Sequence, residues 1–393
     1  MIKIYETDSY KRECESTVTS CFEDGVNIFI TLDQSIFFPE EGGQYADTGL
    51  LILPGKEIKL SGGQIKDGIV RYQISEPIKE GTVVKCVLDW DKRFMRMQQH
   101  SAEHIASGRV KALLGFDNVG FHLSDDSEVT FDAGGQITPE QAYMIEAAAN
   151  EIIRKNMKIT VSFPSEDELK SIPYRSKTDI DGQVRLVTIG SGDDIADICA
   201  CCAPHVAHTG EIGILIFTRV QKYKNATRIS MLAGERAYAY IRENLNILTR
   251  ISGGLTTSAD KVEAVLLKQQ SEIAELKARL ATALEEKLKK AMDEAKGKSV
   301  SIFLDDEISG GALNRAFEYG LLHHDEIIVF IKKENGFRYR LAGKNSVRHI
   351  QAKMEEGLNA KGGGRDTDIS GQLPANRKEI ESFLIKTGFT EEQ

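Results

Sequence analysis

The sequence predicts an α+β protein in four segments. These are a small N-terminal β-barrel over residues 1–90, an α+β domain over 91–250, a helical linker over 251–297 and a small α/β domain over 298–393. Three observations predict it. The N-terminal segment is a series of short apolar runs separated by Gly-rich turns, the pattern of a small closed sheet. Beyond it, strands and helices fall in separate blocks, as in α+β domains. From Lys261 to about Lys290 the chain has neither Gly nor Pro, and Leu266, Ile273 and Leu280 recur seven apart, which marks one long helix with an apolar seam.

The totals fit this division. A chain of 393 residues is too long for one core and suits two or three domains. Apolar content of 41% and charged content of 28% are those of a soluble globular protein. No run of about eighteen apolar residues occurs, and the start MIKIYETDSY has no apolar leader. We therefore expect no membrane span and a cytoplasmic location. Three of the six cysteines, Cys199, Cys201 and Cys202, crowd into four positions, poor spacing for a disulfide scaffold and better suited to a reducing compartment. The net charge of −9 argues against non-specific nucleic-acid binding and leaves room only for a local basic surface.

In the first segment, Val26 to Leu32 is a β-branched and aromatic strand ended by Asp33. The stretch FFPEEGGQYADTG, Phe37 to Gly49, follows. Gly42 and Gly43 allow positive φ or a close backbone approach to a ligand, with Gln44 and Asp47 beside them. The same residues would equally serve a tight turn. Short strands follow near Leu50–Leu53, Ile69–Gln73 and Val83–Leu88.

The second segment opens with a helix from Trp90 to Leu114 carrying Arg93, Arg96 and Arg109. Its HSAEH sequence places His100 and His104 on one face. Gly120 to His122 opens a hairpin with Val129–Phe131. Thr138, Pro139 and Gln141 begin a helix running to about Lys155, with Thr138 as cap. Ile159–Phe163, Gln183–Ile189 and Ile212–Val220 read as strands. Between the last two lies CCAPH, where Pro204 disfavours a helix, so Cys201 and His205 belong to a loop wrapped around an ion. His100, His104, Cys201 and His205 together form the N/S set of a tetrahedral Zn2+ site. The order is not the H-E-x-x-H of zincins, although Glu103 lies between the histidines. Cys199 and Cys202 are alternative sulfur ligands, and packed histidines with buried thiols are the plain alternative to any metal.

The linker helix pairs with Arg236–Leu248, with a second subunit, or with its own domain. In the last segment Ser299–Leu304 and Ile327–Lys333 read as strands, and Gly310–Tyr319 and Ser346–Gly357 as helices. In NAKGGGRDTDISG, Gly362, Gly363 and Gly364 lie between Lys361 and Arg365 and could form a positively flanked backbone nest for phosphate or a nucleic-acid backbone. A glycine turn is the alternative. No Lys-Ser/Thr follows, so this is no Walker loop and ATP binding is not expected.

Three stretches in order resemble the alanyl-tRNA editing proteins, the free-standing form of the editing module of alanyl-tRNA synthetase. FFPEEGGQYADTG is similar to that family's FYPEGGGQ or FYAESGGQ followed by D-T-G. WDKRFMRMQQHSAEH is similar to W-x-x-R…M-x-x-H-T-x-x-H, and CCAPHVAHTGEIG to C-G-G-T-H-V-x-x-T-G-E-I-G. Ser35 stands near a usual Thr, Ser101 replaces Thr, Glu41 replaces a small residue, and Cys202, Ala203 and Pro204 replace Gly-Gly-Thr. The resemblance implies an aminoacyl-tRNA deacylase acting in trans on Ser-tRNA(Ala), with Gly-tRNA(Ala) as a second cargo. It implies zinc that polarises the ester, activates water, or anchors the substrate. On this reading Gln44 holds substrate or water, His122 helps near the ester, and Ser35 contacts the serine hydroxyl. The tail resembles the C-terminal domain of alanyl-tRNA synthetase and the domain attached to DHH phosphoesterases, implying tRNA binding or a homodimer through linker or tail. Two other classes stay open: a non-catalytic tRNA-binding or assembly protein, and a metal-dependent phosphoesterase, which would require a carboxylate-rich cluster.

Overall fold

The computed structural model describes residues 1–123, 125, 128–176, 182–305, 307–308 and 310–389, and the chain divides into two compact units, Met1–Leu248 and Thr249–Gln393. In the first unit six strands close a barrel: Glu13–Asp24 (β1), Asn27–Leu32 (β2), Gly49–Leu53 (β3), Lys56–Lys66 (β4), Ile69–Ile74 (β5) and Val83–Leu88 (β6), in the order β1-β2-β5-β4-β3-β6. Val18, Ile30, Leu51, Leu60, Tyr72 and Val84 fill it. The strands β1 and β4 carry little sequence signal, because their outward positions are Glu, Thr, Ser and Lys and only every second residue faces the core. Each bends at an irregularity, between Val18 and Ser20 in β1 and between Leu60 and Gly62 in β4, which lets a small sheet curl onto itself.

The helix Trp90–Leu114 (α1) leaves the barrel directly after β6. Asp89 caps it by accepting the Lys92 N–H, and Gly115 ends it at φ 75°, a conformation that costs glycine least. Its middle is buried all round, from Met97 through Ser107, so it is a core helix whose polar residues must find partners. It lies among Asn118–His122 (β7), Val129–Ala133 (β8), the helix Pro139–Lys155 (α2), Ile159–Ser162 (β9), Leu186–Ser191 (β10), Asp194–Ala200 (β11), Leu215–Tyr223 (β12) and Ala226–Ala233 (β13). Thr138 and Gln141 form the expected capping box on α2. One sheet has the order β12-β13-β8-β7 and a second β9-β10-β11. The helix Gly234–Gly254 (α3) follows.

In the second unit the helix Val262–Glu294 (α4) buries Leu284, Leu288 and Met292 against Ser299–Leu304 (β14), the helix Gly310–Gly320 (α5) and Glu326–Lys333 (β15). Of its apolar seam, Leu266, Ile273, Leu276 and Leu280 are exposed. Gly336–Gly343 (β16), the helix Arg348–Leu358 (α6), Lys361–Arg365 (β17), Asp368–Leu373 (β18) and the helix Arg377–Lys386 (α7) complete the unit, with sheet order β14-β15-β16-β18-β17.

The glycine-rich segment differs from expectation. Gly362, Gly363 and Gly364 are neither a nest nor a turn; they form the edge strand β17, paired with Gly371, Ser370 and Ile369. A nest needs successive residues of opposite helical hand, whereas this backbone is extended. At Gly362 the reason for glycine is contact: a Cβ there would come within 2.5 Å of the Tyr339 hydroxyl and 2.9 Å of the Gly371 Cα. Among the described residues no helix is long and apolar enough to cross a membrane.

Candidate metal centre

The barrel hands its site segment to α1 through one buried ion pair. Asp47 accepts from Arg93 Nε at 3.1 and 3.0 Å, and from Arg93 Nη2, while its Oδ2 also accepts the Phe38 N–H at 2.6 Å. Arg93 Nη2 donates to the Ile36 carbonyl at 2.7 Å. Both side chains are fully buried, and the pair fixes the turn at Glu41–Gln44 over the helix. That turn is closed by reciprocal backbone bonds between Glu41 and Gln44. Gly42 and Gly43, at φ 61° and 82°, take its left-handed positions, and a Cβ on Gly43 would lie 2.8 Å from the Phe121 carbonyl. The turn thus drives Gln44 into the interior beside α1.

There the ligand candidates converge. His100, His104, Cys201 and His205 each offer one ligand atom, and these atoms lie within 4.8 Å of one another. Cys201 Sγ is 3.6 Å from His100 Nε2 and 3.4 Å from His205 Nε2. Metal bonds of about 2.3 Å to sulfur and about 2.0 Å to nitrogen put tetrahedral ligand atoms about 3.3–3.6 Å apart, so these two sulfur–nitrogen spacings match those around a bound ion. Two of the rings are held on their far sides by hydrogen bonds, and the third faces a carboxylate. His100 Nδ1 meets Gln44 Oε1 at 2.8 Å, and an amide oxygen can only accept, so Nδ1 carries the proton and Nε2 its lone pair. His205 Nδ1 meets Ser101 Oγ at 3.0 Å, which also accepts the Val206 N–H. His104 Nδ1 faces Asp197 Oδ2 at 3.8 Å, and Arg175 anchors that carboxylate through two bonds of 2.7 Å.

Electrostatics prepare the donors. Burial by itself raises the Cys201 pKa, but the imidazoles of His100, His104 and His205 hold it well below the usual thiol range. Burial takes His205 down to about 3. A thiolate and a neutral imidazole are the metal-binding forms. At His104 burial opposes charge, yet the sulfurs of Cys199 and Cys201 and the Asp197 carboxylate keep its pKa well above the usual value. The Cys201 sulfur and the Asp197 carboxylate thus favour positive charge on the His104 side of the centre, and its N/S donor set fits a tetrahedral metal ion.

The other candidates separate. Cys202 turns away from the cluster, with Glu41 beside it and Gly42 beneath it: a Cβ on Gly42 would be 3.3 Å from its sulfur. Cys199 sits with His104 and Asp197 in a second, overlapping group. Among the described residues neither group is carboxylate-rich. His122 is exposed on β7, its ring 6.1 Å from that of Tyr45. Ser35 is fully buried among the residues that fill the barrel, and its Oγ accepts the Phe37 N–H at 3.1 Å; the structure does not bring it to the cluster. Gly362, Gly363 and Gly364 belong to the second unit. Gln44 alone of the non-ligand candidates lines the centre, and its Nε2 is a buried donor with no hydrogen-bond partner.

Sequence reasoning missed the supports: Arg93 with Asp47, Ser101, Arg175 with Asp197, and Arg185, whose Nη1 donates to the carbonyls of Cys201 and Ala203 at 2.6 and 3.0 Å. Ser101 carried a signal, since it lies between the two histidines. The arginines carried none, because their partners are 16 to 46 residues away in the chain.

The chain is similar to proteins of alanyl-tRNA editing. A family model described as the second additional domain of threonyl and alanyl tRNA synthetases matches residues 184–230, the stretch with Cys201 and His205. The alanyl-tRNA editing protein AlaX-L of Pyrococcus horikoshii is 28% identical over 411 residues, covering 96% of each chain. The alanyl-tRNA editing protein Aarsd1 of Danio rerio is 25% identical, covering 98% of this chain and 97% of that one. The alanine–tRNA ligase of Thermococcus kodakarensis is 26% identical over 99% of this chain but only 42% of its own length. The chain thus matches editing proteins end to end and spans less than half of that ligase.

Proposed function

We propose that this protein, which resembles the alanyl-tRNA editing proteins over nearly its whole length, hydrolyses the ester of misacylated alanine tRNA, with the seryl ester as principal cargo. His100, His104, Cys201 and His205 would hold zinc. The observation that carries the reading is the His/Cys cluster, its three histidines buried, with the unpaired Gln44 Nε2 at its edge. In the reaction a water oxygen bonds to the ester carbonyl carbon. The bond from that carbon to the ribose oxygen breaks, and a proton passes to the departing ribose hydroxyl. Zinc, when bound, supplies positive charge that polarises or orients the groups around the ester. Gln44 uses both ends of its amide in this scheme. Its Oε1 fixes the His100 tautomer, and its Nε2 donates to the carbonyl oxygen as negative charge develops there, or holds the water. Arg93 and Asp47 keep Gln44 in place, and Ser101 and Asp197 orient His205 and His104.

Discrimination for serine over alanine rests on one hydroxyl, and alanine, being smaller, cannot be excluded by size. Ser35 is fully buried and its hydroxyl accepts the Phe37 N–H, so we assign the serine hydroxyl instead to the second N–H of Gln44 Nε2, a buried donor without a hydrogen-bond partner on the side chain that holds His100. The test is release of labelled amino acid from seryl-, glycyl- and alanyl-tRNA prepared on the alanine tRNA body. The expected result is fast release of serine and sparing of alanine. Equal rates for both defeat the specificity; no release from any, by metal-loaded protein that binds the tRNA, defeats the catalytic reading in favour of a binding protein.

A further inference from the structure

Two cysteines far from the ligand shell in the chain remain without a role, and their placement is specific. Cys14 on β1 and Cys86 on β6 are directly opposed partners in the antiparallel β1–β6 pairing. Directly opposed residues in such a pair have Cα atoms about 4.5 or 5.5 Å apart, and disulfides span about 4.4–6.8 Å. Both side chains point into the barrel and pack on its core. We propose that Cys14 and Cys86 are a reversible cross-strand disulfide site, closed by reaction with a small-molecule disulfide.

The two sulfurs are not equivalent. Cys86 is fully buried. Cys14 is partly exposed, and its Sγ lies 3.5 Å from the Ser16 hydroxyl. The neighbouring Cys86 thiol, assisted by Ser16 and by the charge of Lys11, brings the Cys14 thiol down to about 6 against the opposing effect of burial. Cys14, the partly exposed partner, is accordingly the thiolate that meets the oxidant, and Cys86, kept protonated by the neighbouring Cys14, by burial and by the negative charge of Asp33, is the resolving thiol. The Cys14 thiolate attacks one sulfur of the small disulfide, forms a mixed disulfide and releases one thiolate. Cys86 then gives up its proton, attacks the Cys14 sulfur and releases the second. Two protein thiols are oxidised by two electrons and one small disulfide is reduced to two thiols.

The consequence is a covalent tie across the barrel strand that runs directly into α1. The test uses the full-length protein equilibrated in glutathione buffers from fully reduced to fully oxidised. It is quenched with acid, alkylated under denaturing conditions and mapped by mass spectrometry. Cys14 and Cys21 share a tryptic peptide, because no Lys or Arg lies between Glu13 and Lys56, so the Cys21→Ser variant assigns the sulfur. The expected result is a Cys14–Cys86 linked peptide pair that appears with oxidation, persists in Cys21→Ser, is lost in Cys14→Ser, and reverses with excess reduced glutathione. The urea midpoint rises on oxidation of the parent protein and not of Cys14→Ser. Both cysteines alkylated at every ratio, a stable glutathione adduct on Cys14, or linkage of either to another cysteine would each overturn the proposal.

Discussion

Replacing Gln44 with Ala removes one side chain and leaves one consequence that can be sized. His100 and Gln44 are both buried, and the 2.8 Å bond between them is the partner shown for the His100 Nδ1 proton. Without it a buried N–H lacks an acceptor, a cost of about 1–3 kcal/mol. That cost falls on the tautomer whose Nε2 lone pair faces the cluster. Charged entirely to metal binding, at about 1.4 kcal/mol per factor of ten, it weakens the affinity about 5- to 150-fold. Loss of an outer-sphere partner of a metal-bound His typically costs about 10- to 100-fold, so the two estimates agree. The assay is competition for zinc against a chromogenic chelator, with circular dichroism to show that the variant is folded. Gln44→Glu separates the two proposed roles: it keeps an acceptor for His100 and removes the amide donor. It should retain the ion and lose about a hundredfold or more in single-turnover deacylation, the usual size for one oxyanion donor. A folded Gln44→Ala protein with unchanged zinc affinity would refute the reasoning.

Three further outcomes follow from the same geometry. Asp47→Ala leaves the fully buried Arg93 guanidinium without its counter-ion and should cost about 3–5 kcal/mol in urea unfolding; a loss under about 1 kcal/mol would mean the pair is not what holds the turn to α1. His104→Ala should lose most of the roughly one equivalent of zinc found by elemental analysis of the parent, and full metal content would contradict the ligand assignment. Burial alone would raise the Asp125 carboxyl, but the Arg96 guanidinium holds it below its usual value. Its folded pKa lies below the unfolded one, so its stabilisation is present above the ordinary carboxylate range near about 4 and is lost as pH falls through the folded value. Asp125→Asn should therefore flatten the acid limb of stability against pH, and an unchanged limb would show that Arg96 gains nothing from the pair.

The elements with dense local signals were legible in the sequence. α1 and α2 run where the caps Asp89 and Thr138 and the terminal Gly115 place them, because capping is decided within a few residues. Four of the metal-site candidates were legible for a similar reason: each pair of ligands sits four residues apart. What was not legible depends on partners distant in the chain. Nothing in the sequence around Arg93 reveals that it meets Asp47, and nothing around Ser35 reveals that its hydroxyl is used by the Phe37 N–H inside the barrel. The strand β1 hid because Cys14, Ser16 and Val18 are a weak apolar set. The glycines of β17 misled because the same residues serve a phosphate nest and a strand packed closely over a tyrosine; the choice between them is made by Tyr339 and Gly371.

The ligand shell has an order of arrival. His100 and Cys201 are 101 positions apart, and the intervening chain supplies β7 to β11 and α2. As the protein emerges from the ribosome, the growing chain displays HSAEH first and holds only half the donor set until Cys201 and His205 have followed. Two imidazoles on one helix bind an ion weakly and without selection; four donors in a buried shell do not release it readily. On the proposed reading, commitment of the ion would coincide with closure of a long loop, whose entropic cost grows only slowly with its length. If the cluster holds an ion as proposed, the nascent protein would sample metal early and retain it late, and a chain stalled before Cys201 would leave synthesis with no tight claim on the ion.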